Sequence, residues 1–388
     1  MSATTFDVLI IGGGAHGASL AFHLSRRGVK VAVLERRHLA SGATGRSSGL
    51  VRMHYDLEAE ARLAWEAFQW FRDWKERVGG ACGFTRTGFI QLAPREKAQA
   101  LQANTQMLQR IGVPTFLITA EDVKRLAPAF YTDDFDYAAY EPESGYADPV
   151  LTASSLMEAA RSHGAALIQD CQVTALLTRS GRVYGVQSTK GEFHAPQIVN
   201  AAGAWAGQIC QMAGLNLPLS TWRHEVMYVL RPPALRLPHP TVIDFPNLMY
   251  FRPEGQLTLV GLEDGNPQGE DPESGEHVRP GFVERAIDRL CRRIPKMEEA
   301  HLHSAHAGYD GLSPDQHPLI GPIGPQGFWL DCGFSGTGFK ISPAVGLCLS
   351  EWMLDGAPRT VDITIFHPQR LLEGRRLQGE HPYGDIWL

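Results

Sequence analysis

The chain has 388 residues, of which 44% are hydrophobic and 20% charged, and its formal net charge is −6. No run of lysine or arginine exceeds a pair and no apolar stretch is long enough to cross a bilayer, which argues against a nucleic-acid surface and a membrane span. Six scattered cysteines without a C-x-x-C motif predict reduced thiols and no metal site, and a first strand beginning within six residues leaves no room for a signal peptide, so we expect a cytoplasmic protein.

The first 35 residues have the pattern strand, glycine turn, helix, strand. Residues 8–11 are short, apolar and β-branched, which predicts a buried strand. Residues 15–27 have helical spacing of apolar side chains, and Gly28 is suited to end the helix. A second buried strand is predicted over residues 29–34, and Glu35 follows it directly.

The turn between the first strand and the helix has the pattern G-x-G-x-x-G. Gly12 allows the tight turn, Gly14 admits a pyrophosphate close to the backbone, and Gly17 allows helix and strand to pack closely. Glu35 is placed to accept hydrogen bonds from ribose hydroxyls and would repel a 2′-phosphate, which favours NAD or FAD over NADP. A glycine turn without a ligand is the alternative, but the complete strand–helix–strand–acid order favours a dinucleotide.

The next segments in chain order are a polar loop and a series of helices and strands. Residues 36–52 are rich in glycine and short polar side chains. A flexible loop without a ligand is one interpretation, but the segment follows a dinucleotide motif, where hydrogen-bond donors for the phosphates and ring of a cofactor are needed. We predict helices at 57–78, 95–111, 121–127 and 281–293, strands at 84–93 and 198–206, a helix then a strand within 144–169, hairpins within 172–206, several strands within 217–262, a polar loop at 265–279, a turn-rich loop at 307–321 and a polar tail over the last twenty residues.

A second glycine-rich turn lies near the end of the chain. Residues 333–340, GFSGTGFK, follow a predicted strand and precede a predicted helix within 329–356. A helix N-terminus carries partial positive charge and is suited to an anionic group, such as the negatively charged edge of a reduced flavin. A purely structural crossing is the alternative.

Five stretches in this order resemble FAD-dependent oxidoreductases of the D-amino-acid oxidase and sarcosine oxidase superfamily, above all sarcosine and dimethylglycine dehydrogenases and sarcosine oxidase β subunits. They are IIGGGAHGASLA with Glu35, GATGRSSGLVR, IVNAAGAWA, SPDQHPLIG and GFSGTGFKISPAVG. The resemblance implies an α/β fold with added antiparallel β-structure: a Rossmann-like FAD-binding domain assembled from residues 1–80, 144–215 and 301–370, a substrate domain with an antiparallel sheet from 81–143 and 216–300, and a tail at 371–388.

The resemblance also implies site residues. Arg52 and Lys340 stand where relatives grip a substrate carboxylate, and Tyr250 matches an aromatic residue of the substrate pocket, although a surface or core role is the alternative for each. Glu263 and His224 are weaker candidates for helping to deprotonate an amine. The expected FAD-binding residues are Gly12, Gly14, Ala15, His16, Gly17, Glu35, Arg36, Ser41, Thr44, Gly45, Arg46, Ser47, Ser48, Gly49, Val173, Ala201, Gly203, Trp205, Gly308, Gly336, Thr337, Gly338, Phe339 and Lys340.

Three departures from these relatives refine the expectation. Gly308 stands where monomeric sarcosine oxidases carry a cysteine bonded to FAD, so we predict non-covalent FAD. The SGYADPV stretch lacks the histidine that binds FMN in heteromeric enzymes, which argues against a second flavin. Leu259 stands near the place of an oxygen-activating lysine, and the loss of that cation favours a dehydrogenase over an oxidase.

The predicted function is oxidation of a C–N bond in an amino acid or N-alkyl amino acid, with oxygen, a quinone or an electron-transfer protein as electron acceptor. Three alternatives remain. The chain could oxidise a 2-hydroxy acid, which would need a base such as a histidine. It could be one subunit of a heteromeric dehydrogenase, or it could bind flavin without catalysis.

Overall fold

The computed structural model describes residues 4–235 and 238–383, so the parts of the predicted domains and tail at 1–3, 236–237 and 384–388 lie outside the described residues. The strands are β1 (Thr4–Thr5), β2 (Val8–Ile11), β3 (Val31–Leu34), β4 (Leu50–Val51), β5 (Thr85–Arg86), β6 (Phe89–Leu92), β7 (Phe116–Thr119), β8 (Tyr137–Glu141), β9 (Gly145–Tyr146), β10 (Ala166–Ile168), β11 (Val173–Arg179), β12 (Arg182–Ser188), β13 (Gly191–His194), β14 (Gln197–Asn200), β15 (Ser220–Leu230), β16 (Thr241–Asp244), β17 (Met249–Glu254), β18 (Leu257–Leu262), β19 (His301–Leu312), β20 (Leu319–Pro322) and β21 (Phe328–Cys332). The helices are α1 (Ala15–Ser25), α2 (Glu58–Arg72), α3 (Trp74–Arg77), α4 (Ala98–Arg110), α5 (Ala120–Leu126), α6 (Pro149–Ser162), α7 (Ala206–Met212), α8 (Phe282–Arg293), α9 (Gly338–Asp355) and α10 (Gln369–Leu372).

A six-stranded sheet forms the first half of the fold, in the order β10-β3-β2-β14-β21-β20. Neighbouring strands in this sheet pair in parallel, except that β20 is antiparallel to β21. All residues of β2, β3 and β21 are buried, as expected for parallel strands covered on both faces. Helix α1 packs between α6 and α9, so the predicted dinucleotide-binding unit is confirmed as a layered α/β structure.

An eight-stranded sheet, in the order β19-β15-β18-β17-β16-β6-β8-β7, forms the second half. It is antiparallel except for the parallel pair β16–β6. Side chains alternate across it: Val260 and Leu262 pack towards α8, whereas Leu259 packs with Ile243 and Tyr250 on the other face. The predicted fold class, α/β with an added antiparallel sheet, is confirmed; the domain boundaries remain a prediction.

Two predicted segments differ from the structure. The turn-rich loop predicted at 307–321 is wrong for its first half, because β19 pairs with β15 from Leu312 back to His301 and the turn begins only after it. Glycines and polar residues suggested a loop, but the partner strand satisfies their backbone groups. The strand predicted at 198–206 ends at Asn200, and a 3-10 turn follows at Gly203–Trp205.

Among the residues described here, no helix is long and apolar enough to cross a membrane. The C-terminal segment is attached to the body of the protein: Tyr383 is 1% exposed, and its hydroxyl lies 2.8 Å from Nε2 of His54.

Candidate active site

A cavity of about 1860 Å³, which includes space open to solvent, lies between the carboxyl ends of the parallel strands and the inner face of the eight-stranded sheet. Gly12, Glu35 and Ala201 contribute from the ends of β2, β3 and β14, the place where open α/β sheets bind ligands. Ile243 and Tyr250 contribute from the opposite sheet. Residues of both glycine turns and side chains of the opposite sheet therefore line one continuous cavity.

Glu35 and Thr44 fix the first glycine turn. The Glu35 carboxylate accepts hydrogen bonds from the backbone N–H groups of Gly13 and Arg37, each at 2.8 Å. Thr44 Oγ1 accepts one from the N–H of Ala15 at the start of α1, at 3.0 Å. The acid at the end of β3 is therefore buried against the turn and still lines the cavity.

The second glycine turn is tied to β19 and to the first turn. Asp310 accepts hydrogen bonds from the N–H groups of Gly336 and, at 2.7 Å, of Gly311. From α1, the His16 ring stacks on Phe334 at 3.7 Å, and its Nε2 lies 3.0 Å from the carbonyl oxygen of Gly338. The two turns that were predicted separately are thus one connected structure.

Two buried cations stand at one end of the cavity. Arg52 is 1% exposed; one of its Nη atoms donates to the His54 carbonyl, while Nε and the other Nη have no hydrogen-bond partner among the described residues. Lys340 lies in the first turn of α9 and is 6% exposed. Burial, and then the charge of Arg52, hold the pKa of Lys340 well below its usual value. Donors left unsatisfied in this way are suited to an anionic ligand.

Tyr250 and Glu263 face the same region from the eight-stranded sheet. The Tyr250 ring lies over Gly261, where an added Cβ would come within 2.2 Å of the ring, and burial raises the pKa of its hydroxyl. Burial raises the pKa of Glu263 to about 8, although Arg52 and Lys340 lower it. His224 also lines the cavity, and its pKa is lowered by burial.

An acidic loop, residues 265–279, reaches across to the dinucleotide-binding half. The carboxylate of Glu273 in this loop is the acceptor for three donors that line the cavity: Arg36, Arg37 at 2.6 Å and Trp205 Nε1 at 2.9 Å. The Arg36 guanidinium also lies 4.4 Å from the centroid of the Trp205 ring. The acidic loop therefore holds the wall of the cavity beside Glu35.

The predicted site residues largely share this one cavity. Those that line it are Gly12, Gly14, Ala15, His16, Glu35, Arg36, Ser41, Thr44, Arg46, Ser47, Ser48, Arg52, Val173, Ala201, Gly203, Trp205, Tyr250, Glu263, Gly308, Gly336, Gly338, Phe339 and Lys340. Gly17, Gly45, Gly49 and Thr337 do not line it but shape its loops; a Cβ at Gly17, for example, would lie 2.0 Å from the Gly12 carbonyl oxygen.

Sequence reasoning missed two acidic residues of the cavity, Asp310 and Asp331. Asp331 lies in β21 next to the second glycine turn, and one of its carboxylate oxygens is 3.1 Å from Nδ1 of His16. An acid near the end of a parallel strand was the signal that identified Glu35, and the same signal was available for Asp331. Asp310 had no such signal, because its strand was predicted to be a loop.

The structure also places Gly308 and Leu259, two of the three positions that depart from the relatives. Gly308 lies on β19 against Arg46, where an added Cβ would be 2.8 Å from the Cβ of that arginine. Leu259 is fully buried and does not line the cavity. Of the six cysteines, all with free thiols, Cys171 lines the cavity, and its thiol donates to Ser188 Oγ at 3.4 Å.

Fold and cavity together define a dinucleotide-binding oxidoreductase with a separate sheet covering its reaction site. The chain belongs to the DAO family of FAD dependent oxidoreductases, whose sequence profile matches residues 7–352. The residues present fit FAD: the cavity is lined by both glycine turns, by the start of α1 and by Glu35, and also by Arg52, which has unsatisfied buried donors among the described residues. The resemblance inferred from the motifs is thereby confirmed.

Several relatives have names that describe amine or amino acid oxidation. Sarcosine dehydrogenase of Mus musculus is 29% identical over 385 residues, covering 94% of this chain and 42% of the relative. Sarcosine oxidase subunit beta of Arthrobacter sp is 27% identical, covering 89% of this chain and 86% of the relative. The chain thus spans less than half the length of the mitochondrial dehydrogenases that it matches.

Solved structures agree with this assignment. The L-proline dehydrogenase from P. horikoshii superposes with a TM-score of 0.90 and 26% identity, covering 97% of this chain and 100% of that one. Glycine oxidase from Geobacillus kaustophilus gives 0.83 and 26%, covering 95% and 99%.

Proposed function

We propose that this protein oxidises a C–N bond of an amino acid or N-alkyl amino acid, using non-covalently bound FAD. The buried pair Arg52 and Lys340 carries the proposal, because two basic side chains that line the cavity, one of them with unsatisfied donors among the described residues, suit a carboxylate. The names of the relatives, which include sarcosine, dimethylglycine, proline and glycine, agree with a small carboxylated amine.

The first glycine turn and the start of α1 would hold the pyrophosphate, and Glu35 the ribose. The second glycine turn would place the N-terminus of α9 beside the flavin ring. Bound there, FAD would supply the hydride acceptor for oxidation of the carbon attached to the substrate nitrogen, and water would hydrolyse the resulting imine. Non-covalent attachment is supported by Gly308, which offers no side chain to bond.

A substrate carboxylate between Arg52 and Lys340 would do more than add two ion pairs. The pKa of Lys340 is low because burial and the neighbouring guanidinium both disfavour its charge. A carboxylate offsets that repulsion and restores the ammonium form, so binding of the acid is coupled to protonation of Lys340. The planar guanidinium can bind both carboxylate oxygens, which fixes the orientation of the substrate.

We further propose that electrons leave to an acceptor other than oxygen, such as a quinone or an electron-transfer protein. Leu259, which stands near the place of an oxygen-activating lysine in the relatives, packs among apolar side chains and supplies no cation to stabilise superoxide. A partner subunit is consistent with the similarity to a sarcosine oxidase β subunit.

The direct test is the absorbance spectrum of purified, FAD-loaded protein before and after anaerobic addition of glycine, sarcosine, dimethylglycine, proline and matching 2-hydroxy acids. We expect bleaching of the flavin band with at least one carboxylated amine and with no hydroxy acid. Re-oxidation should be fast with an artificial dye and slow in air. Bleaching by hydroxy acids alone, or by no compound in the panel, would contradict the proposal.

Replacing Glu273 with Gln is expected to weaken FAD binding about 2- to 30-fold. Its two partly exposed ion pairs, with Arg36 and Arg37, contribute about 0.2–1 kcal/mol each and so roughly 0.4–2 kcal/mol together, while the amide oxygen of Gln can still accept the Trp205 hydrogen bond. FAD dissociation, followed by the rise in flavin fluorescence, should accelerate, and salt should accelerate it in the unmodified protein. The control is Glu158→Gln on α6, an exposed ion pair far from the cavity wall, which should leave FAD release unchanged.

A further inference from the structure

Glu263 is a partly buried residue whose carboxylate is buried near Arg52 and Lys340 and has no hydrogen-bond partner among the described residues. It follows β18, and its backbone N–H donates to the Leu248 carbonyl at 2.9 Å, which fixes its position. Both carboxylate oxygens are buried and have no hydrogen-bond partner among the described residues. The next residue, Asp264, is in contrast held outward by Arg289 through two hydrogen bonds of 2.6 and 2.8 Å.

A buried carboxyl without a donor is unfavourable unless a ligand supplies one. The positive charges of Arg52, from the loop after β4, and of Lys340, from α9, lower the pKa of Glu263. The negative charge of Asp264 raises it. Tyr250 from β17 lies close enough for the charge of Glu263 to raise the pKa of its hydroxyl. His224 from β15 lines the same cavity. Of the other acids that line the cavity, Glu35 and Asp310 accept backbone N–H groups and Asp331 lies by His16. Once a substrate carboxylate occupies the cation pair, Glu263 is therefore the acid available to the substrate nitrogen.

We propose that Glu263 is a catalytic residue that accepts a proton from the substrate ammonium group and thereby selects amines over 2-hydroxy acids. The inference rests on the proposed function. The N–H bond breaks with its electron pair remaining on nitrogen, and the proton forms an O–H bond on the Glu263 carboxylate. The neutral amine so formed has the lone pair that assists loss of hydride from the adjacent carbon.

The proton affinities of donor and acceptor match. Burial raises the pKa of Glu263 to about 8, against values of about 8 to 10.4 for protein amines. A hydroxyl group is far less acidic, close to the value of about 15.7 for water, and could not give its proton to a carboxylate. Because Glu263 accepts a proton only when ionised, the rate of flavin reduction should rise as pH increases through about 8.

The test is the anaerobic rate of flavin reduction against pH, measured by stopped flow on the FAD-loaded protein with the amine that bleaches it fastest. Glu263→Gln should slow reduction about 10²- to 10⁴-fold, the range typical of a lost general base, and remove the rise near pH 8. Methoxyacetate, a carboxylate without a basic nitrogen, should bind Glu263→Gln within about threefold of wild type, as seen in the flavin spectrum. Glu284→Gln, the same change on the exposed face of α8, should match wild type.

Glu263→Asp keeps the acid but withdraws it by one methylene group, so it should retain the pH dependence at a reduced rate. If both variants reduce at the wild-type rate with the wild-type pH dependence, the role of Glu263 is overturned while the proposed function stands. If no carboxylated amine reduces the wild-type protein, the proposed function itself fails.

Discussion

Arg52→Ala is expected to lower kcat/KM for a carboxylated amine about 10²- to 10³-fold, and Lys340→Met about 10- to 10²-fold. A hydrogen bond to a charged group contributes about 1.5–3 kcal/mol, and a guanidinium can make two of them to one carboxylate. Both side chains are buried, so water cannot replace them. Steady-state kinetics with an artificial electron acceptor measure the effect, which should appear mainly in KM because ground state and transition state share the contact.

The two variants separate substrate binding from damage to the fold. Arg52 also packs on the rings of Tyr55 and Phe89, at 4.6 and 5.8 Å, so its removal could loosen the surrounding core. Lys340→Met preserves side-chain length and apolar contact, and Arg125→Ala, on the exposed face of α5, removes an arginine far from the cavity. FAD content and unfolding temperature should stay near wild type in Lys340→Met and in Arg125→Ala. Unchanged KM in both cation variants would rule out a carboxylate clamp.

Gly12→Ala is expected to abolish FAD binding and to lower the free energy of unfolding by about 2–5 kcal/mol. Gly12 has φ +113°, a region unfavourable to a side chain, and an added Cβ would lie 2.4 Å from the carbonyl oxygen of Ala201. That oxygen belongs to the backbone following β14 and cannot move without disturbing the parallel sheet. FAD titration and urea unfolding of the apoprotein measure the two effects separately.

Gly28→Ala is the matched control for this prediction. Gly28 follows α1, which ends at Ser25 rather than at the predicted residue 27, and has φ +80°, but an added Cβ there would meet no atom within 4 Å. It therefore carries the backbone cost alone, about 1 kcal/mol, and should leave FAD affinity unchanged. Equal loss of FAD binding in both variants would show that close packing at Gly12 does not govern the cofactor site.

The two glycine turns show how much of the secondary structure a local sequence pattern can predict. Each is a strand, a turn and a helix within about 30 residues, and each was predicted from spacing alone because its structure depends on neighbours in sequence. The second half of β19, residues 307–312, was predicted to be part of a loop since its glycines and aspartate are typical of turns. Only its partner β15, some 80 residues earlier, makes a strand of it.

The sequence by itself determined the dinucleotide unit, the FAD family and most residues that line the cavity, because these depend on short-range spacing and on motifs. Tertiary structure decided which charges meet: Asp310 on the second glycine turn, Glu273 across Arg36 and Arg37, and Glu263 near Arg52 and Lys340 with no hydrogen-bond partner among the described residues. Such encounters join residues tens to hundreds of positions apart. Whether a buried carboxyl finds a donor or is left for a ligand is therefore fixed by the packing of the two sheets, which no local pattern contains.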